Sequence, residues 1–385
     1  MIAIINGTVY PVTSPAIQNG VVLVENGKII SVGGPDTVIP EAAQVIDACG
    51  ENVYPGIVEV SCRVGANKMP VQLRETQDGL DSSAAIQPQL KVINAINPHD
   101  NSIRWMFSSG VTTAFITPGP ACLVDGQGIA VKLRPAETVD DIAIAGSEQL
   151  SMSYFDGTFG IMAKMGKAGA ATRMAMISQL ETVFEKAKEW AAQEADKRAS
   201  DPMMAALEPA VTGKMRVRIR CNRADDIVSM VKLAEKFRLD YYLIGCIEAH
   251  LVQNFLREHH VRIAAEGIPM GMEKCIFLLD ENRFCFENTS ILYRGGNLAA
   301  LTMDAAVDSR LLRVTAGGEQ RFDIPHDEIL KDITIRAAEL IGIEDRVGSL
   351  EPGKDADVVI FHGDILVNTS VLKLSMVDGR IIYRA

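Results

Sequence analysis

Histidine and aromatic residues are scarce in this chain: six histidines among 385 residues, and 5% aromatics with only two tryptophans. No stretch of about 18 consecutive apolar residues occurs, so no membrane-spanning helix is expected. Positive charge is also short. Lys and Arg number 38 against 49 Asp and Glu, a net charge of -11. Nucleic acid selects basic surfaces, so a nucleic-acid partner is excluded on this ground. Cysteine is present seven times, as Cys49, Cys62, Cys122, Cys221, Cys246, Cys275 and Cys285, an odd and scattered set with no CxxC pair. That pattern predicts reduced thiols in a cytoplasmic protein. The opening Met1-Ile2-Ala3-Ile4-Ile5 has no basic region before it and meets Asn6-Gly7 at once, so no signal peptide is expected.

What is there suits a large core. Hydrophobic residues make up 48% of the chain, and the length fits a barrel of about 250 residues with a smaller domain beside it. Short strands are expected over residues 1–5, 21–25, 28–32 and 44–47, with hairpin turns at Asn6-Gly7 and Asn26-Gly27. The last thirty or so residues have the same character, with strands over 358–361, 372–377 and 380–383 and a tight turn at Asp378-Gly379. The middle alternates strands (111–116, 215–221, 240–245, 261–265, 298–303) with helices (224–237, 249–258, 327–341), the pattern of βα units. A long helix is read over 179–198 and a linker over 199–213. Residues 157–171, rich in Gly, Ala, Lys and Met without periodicity, read as a loop over one barrel mouth.

Several blocks together resemble the amidohydrolase superfamily, and within it the imidazolonepropionase-like amidohydrolases. Tyr54-Pro55-Gly56-Ile57-Val58-Glu59-Val60-Ser61-Cys62-Arg63 looks like the first barrel strand. Gly20-Val21-Val22-Leu23-Val24-Glu25-Asn26-Gly27-Lys28-Ile29-Ile30 is similar to the entry strands, and Gly348-Ser349-Leu350-Glu351-Pro352-Gly353-Lys354-Asp355-Ala356-Asp357 to the closing block. Gly110-Val111-Thr112-Thr113, Gly126-Gln127-Gly128 and Asn222-Arg223-Ala224-Asp225-Asp226 fall between them in order. The resemblance implies an α/β fold: a (β/α)8 TIM-like barrel over residues 55–345, with a small β-sandwich built jointly from residues 1–54 and 346–385. It also implies hydrolysis of non-peptide, often cyclic, amide C–N bonds by zinc or another divalent metal. Such a metal lowers the pKa of a bound water and polarises the carbonyl.

The metal-ligand positions are where the chain departs. Ser61 and Arg63 stand in place of the His-x-His of strand one, and Arg220-Cys221-Asn222 in place of His-Ala-His at strand five. Gly245 occupies the histidine position of strand six, followed by Cys246-Ile247-Glu248-Ala249-His250. Only Asp304, after strand eight, retains a family acid. Arginine has no lone pair to offer a metal, and one carboxylate with weak oxygen donors does not hold a transition metal tightly. His99, His259, His260, His326 and His362 show no ligand spacing. The expectation is therefore no metal ligand set and no cofactor.

Asp304 is the candidate catalytic residue, and Ser61, Arg63, Arg220, Asn222, Glu248 and His250 are candidate ligand-binding residues. Arg63 and Arg220 bring positive charge to the place of a dication. Two readings follow: ion pairs that plug the site, or a pocket for a small anionic molecule, since a planar guanidinium suits both. Glu248 and His250 read equally as an acid/base pair or as a helix cap with a surface contact. Strand alternation turns Cys62 and Cys221 toward the helical layer as core residues. Lys164 and Lys167 lack partner histidines for a carbamylated-lysine site. The chain thus reads as a ligand-binding or scaffold pseudoenzyme. The alternatives are a metal-independent hydrolase centred on Asp304, Arg63 and Arg220, or a metal hydrolase with ligands elsewhere. A homo-oligomer is expected from the resemblance.

Overall fold

The computed structural model describes all residues except 68–77, 156–157, 159–171, 195, 197, 268–282 and 305–307. The 157–171 loop expectation, with Lys164 and Lys167, therefore falls almost wholly outside the described residues. The strands are β1 (Ile2–Val9), β2 (Ile17–Glu25), β3 (Lys28–Gly33), β4 (Gln44–Asp47) and β5 (Asn52–Pro55), then β6 (Ile57–Cys62), β7 (Val111–Ile116), β8 (Val124–Lys132), β9 (Gln149–Ser153), β10 (Val217–Cys221), β11 (Tyr241–Gly245), β12 (Ile263–Glu266) and β13 (Leu298–Thr302), and finally β14 (Val358–His362), β15 (Val371–Val377) and β16 (Arg380–Arg384). The helices are α1 (Asn101–Phe107), α2 (Arg173–Ala191), α3 (Pro202–Val211), α4 (Ala224–Phe237), α5 (Gln253–Glu258), α6 (Asn288–Gly295), α7 (Leu312–Gly318), α8 (His326–Asp332) and α9 (Ile335–Ile341). None is long and apolar enough to cross a membrane among the described residues.

Both chain ends build one eight-stranded sheet, ordered β16-β15-β14-β5-β1-β2-β3 with β4 also on β1. Two of its turns form as the sequence predicts. Asn26 and Gly27 have φ of 49° and 79°, and Asp378 and Gly379 have 49° and 72°, the positive pair that a tight two-residue hairpin needs. Asn6-Gly7 does not turn the chain. β1 runs through it, and the register against β2 shifts on either side of Gly7. The reason is a change of partner: residues 2–5 pair in parallel with β4, whereas Thr8 and Val9 pair in parallel with β5. Asn6, at a φ of 57°, supplies the kink between the two.

The second eight-stranded sheet is the barrel, in the unbroken order β6 to β13. It departs from uniform βα alternation at one strand. β8 is antiparallel to both β7 and β9, while the remaining neighbours are parallel. The seven residues between β7 and β8 include Pro118-Gly119-Pro120 and hold no helix, so the chain can only reverse. At the β6/β13 seam side chains make the join. The buried Glu59 carboxylate accepts from the Ser61 amide at 3.0 Å, the Met303 amide at 3.2 Å and the Thr302 hydroxyl.

The helical layer brings two further corrections. Residues 199–213 are not a linker, because α3 forms there and packs on α2. Asp201 caps it, accepting from the amides of Met203 and Met204 at 2.9 and 3.2 Å, with Pro202 at the first helical position. The single closing helix expected over 327–341 is broken into α8 and α9. The break exposes the Ile333 carbonyl, which accepts from the Val58 amide of β6 at 2.9 Å, and α9 then packs against β6 and β13. Cys62 lies in the apolar cluster with Ile103 and Met106 of α1, and Cys221 in the cluster with Ile227 and Met230 of α4.

Candidate functional site at the barrel mouth

The carboxyl ends of β6, β10, β12 and β13 converge on one charged group, at the face where barrels of this kind carry their chemistry. Asp304, buried and held at a φ of 44° just beyond β13, is its centre. Its backbone amide donates to Thr302 Oγ1 at 3.0 Å. Ser61 Oγ donates to Asp304 Oδ1 at 2.5 Å. The Arg220 guanidinium forms an ion pair with Asp304 Oδ2 and reaches Glu266 Oε1 at 3.2 Å. The ring of Phe155 lies 4.9 Å from that guanidinium, which sits over its face. Ser61, Arg220 and Asp304 are thus brought into direct contact, as their strand positions imply.

The other expected residues are placed around this group. Arg63, half-buried just past β6, feels the charges of Arg218, Glu266 and Asp125, and burial holds its pKa below the ordinary arginine value. Asn222 follows Arg220 on the same face of the β10 extension, and its Oδ1 is buried without a hydrogen-bond partner. Glu248 accepts from the Ala224 amide at 3.0 Å, and its own amide donates to the Asn222 carbonyl at 3.0 Å. It supplies the cap of α4 that Arg223, at the cap position, does not. The His250 amide donates to Asn288 Oδ1 at 2.9 Å, with its ring Nδ1 at 3.3 Å from the same atom.

A deeper polar layer lies beneath, and sequence reasoning missed it. Arg218 donates to Ser61 Oγ at 2.7 Å and Ser151 Oγ at 3.3 Å. Asp125 accepts from Ser153 Oγ at 2.6 Å and from the amides of Ala121 and Cys122 at 3.1 and 2.9 Å. Burial pushes Asp125 and Glu59 each up to about 7, against the pull of those donors. The available signal was the alternation Arg216-Val217-Arg218-Ile219-Arg220 and Ser151-Met152-Ser153, which puts polar side chains on one face of a strand otherwise apolar.

The described residues at the mouth do not form a ligand set for the divalent metal that the resemblance implies. An arginine, not a metal ligand, faces Asp304 and Glu266. The strand-six position is closed as well: Gly245 has a φ of 86°, and a Cβ there would overlap Asn222 Oδ1. Among the described residues no group of three His, Cys, Asp or Glu side chains is arranged to hold a metal ion.

Comparison with known proteins places this architecture. Residues 250–382 match the amidohydrolase family. The crystal structure of an amidohydrolase from Thermotoga maritima MSB8 superposes with a TM-score of 0.91 at 28% identity, covering 100% of both chains. Amidohydrolase tasK of Hapsidospora irregularis is 24% identical over 380 residues, which cover 90% of this chain; the chain spans only 38% of that protein's length. The imidazolonepropionase of Fusobacterium nucleatum is 21% identical over 379 residues, covering 89% of this chain and 85% of the relative. With a barrel and a two-ended sheet matched along the whole chain, this protein is similar in sequence and fold to members of the amidohydrolase superfamily.

Proposed function

We propose that this chain is a metal-independent member of its superfamily that binds a small anionic molecule at the barrel mouth, with arginine supplying the positive charge that the family reaction draws from a dication. One observation carries the reading: Arg220 is ion-paired to Asp304 and Glu266 together. A guanidinium remains charged at any ordinary pH and here holds two protein carboxylates, so Arg220 excludes a cation from the same place. Half-buried Arg63 adds a second cation at the rim. The alternative of a rebuilt hydrolase is weakened by the same contact. A carboxylate stabilised by Arg220 on one oxygen and by Ser61 on the other is a poor general base.

Two measurements test this. Protein purified without chelator should contain well under one equivalent of metal by elemental analysis; near-stoichiometric zinc, iron or manganese overturns the reading. A thermal-shift screen of small carboxylates and phosphates should show stabilisation of the wild type that is lost in Arg63→Ala. No stabilisation, or equal stabilisation in both proteins, removes the anion-binding half of the proposal.

A further inference from the structure

Arg218 carries a charge that the barrel does not pair directly. It lies one alternation deeper than Arg220 on β10, opposite Tyr242 of β11 and Ser151 of β9, and is only 3% exposed. Its partners are hydroxyls: Ser61 Oγ, Ser151 Oγ and the Tyr242 oxygen, whose own hydrogen goes to Gln149 Oε1 at 2.9 Å. Among the described residues no carboxylate forms an ion pair with it. Asp304 is reached only through the Ser61 hydroxyl, and Asp125 is engaged by Ser153 and two backbone amides. Among the described residues the Arg218 Nε–H has no hydrogen-bond partner.

Several other charges set against a buried partner are matched at contact distance. Lys132 meets three aspartates, Arg173 meets Asp226 at 2.6 Å, and Arg336 meets Asp332 at 2.8 Å. A buried lysine could shed its proton, but an arginine cannot, so the charge on Arg218 stays, and the buried Asp125 acts on it through space without an ion pair. The Ser151 hydroxyl accepts from Arg218, and its own hydrogen is given to no acceptor among the described residues. An unpaired N–H and a free O–H beside a fixed cation are the donors an anion takes. Enclosure at this depth favours a single-atom ion over an organic acid.

We infer that the barrel interior holds a halide ion against Arg218 Nε and the Ser151 hydroxyl, separate from any molecule bound at the mouth. The inference stands on Arg218 alone and does not require the metal-independent reading.

The decisive experiment is a crystal structure of the full chain in sodium bromide, with data collected at the bromine edge. An anomalous peak touching Arg218 and Ser151 is expected; a water there without anomalous signal overturns the proposal. In solution, halide is titrated into protein dialysed against gluconate at constant ionic strength. The thermal midpoint should rise by about 1–3 °C for each tenfold increase in chloride or bromide above the dissociation constant. Ser151→Ala, which keeps the arginine, should flatten that rise, and a flat wild-type response overturns the proposal. Arg63→Ala, which removes a charge at the mouth but no donor to the ion, should keep a halide response. A response lost in Arg63→Ala puts the ion at the mouth and overturns the internal site.

Discussion

Replacing Lys132 by methionine should strip a buried ionic tie between the barrel and the terminal sheet. Lys132 ends β8 with 2% exposure, and its ammonium lies 2.9 Å from Asp355, 3.0 Å from Asp357 and 3.4 Å from Asp378. Methionine keeps most of the volume and removes the charge. Asp355 still has Lys28 at 2.6 Å and Arg346 at 2.8 Å, and Asp378 still has Arg134 at 2.9 Å. Asp357 keeps only neutral donors, the Thr113 hydroxyl at 3.2 Å and the Asp378 amide at 3.0 Å. The damage therefore concentrates on one buried carboxylate, at a cost of about 3–5 kcal/mol. Urea denaturation followed by circular dichroism at pH 7 measures it. Asp357→Asn added to Lys132→Met should recover about 2 kcal/mol or more of the loss, because it removes the stranded charge. Burial already holds the Asp357 pKa above the ordinary carboxylate value. The deficit of the single variant should thus shrink from pH 7 to pH 5 as Asp357 takes up a proton. A single variant within about 1 kcal/mol of wild type, or a double variant no more stable than the single, refutes the reasoning.

Three further outcomes are expected. Glu59, raised to about 7 by burial, favours the folded state while protonated; its contribution is complete below the unfolded value near 4.5 and is lost as pH rises through 7. Glu59→Gln should remove on the order of 3 kcal/mol of stability change from that window, leaving the parallel share from Asp125, and an unchanged slope in denaturation runs from pH 5 to 8 would contradict it. Gly245→His should bind no zinc in equilibrium dialysis and should be destabilised, because Asn222 fills the space of its Cβ and the backbone is left-handed there; tight binding by this single variant would show the strand-six position to be open. His326 bonds Asp364 at 2.8 Å and Asp327 at 3.1 Å, and these aspartates outweigh burial to raise its pKa to about 9. The stability it contributes is full below about 6.5 and fades as pH rises through 9; an imidazole titrating near its ordinary value by NMR would rule the contact out.

Much of this fold follows from local chemistry that can be read without coordinates. Asn26-Gly27 and Asp378-Gly379 turn because those dipeptides accept two positive φ angles in succession. The helix over 224–237 has the bounds its periodicity gives, since an apolar stripe between a polar start and the left-handed Arg238 leaves little choice. That none of positions 61, 63, 220, 222 and 245 is histidine is likewise read residue by residue.

Other features depended on partners far away in the chain. Asn6-Gly7 has the same dipeptide chemistry as Asn26-Gly27, yet it kinks a strand, because β4 and β5 claim the two halves of β1. The capping role of Glu248 and the break between α8 and α9 both serve groups more than twenty residues distant. The site shows the division most clearly. Sequence alone determined that arginine stands at 63, 218 and 220, because side-chain chemistry belongs to each residue. Only the tertiary structure decided that Arg220 rests on Asp304 and Glu266 while Arg218 bonds hydroxyls among the described residues, because pairing of buried charge is settled by where the strands of a barrel bring their inward faces.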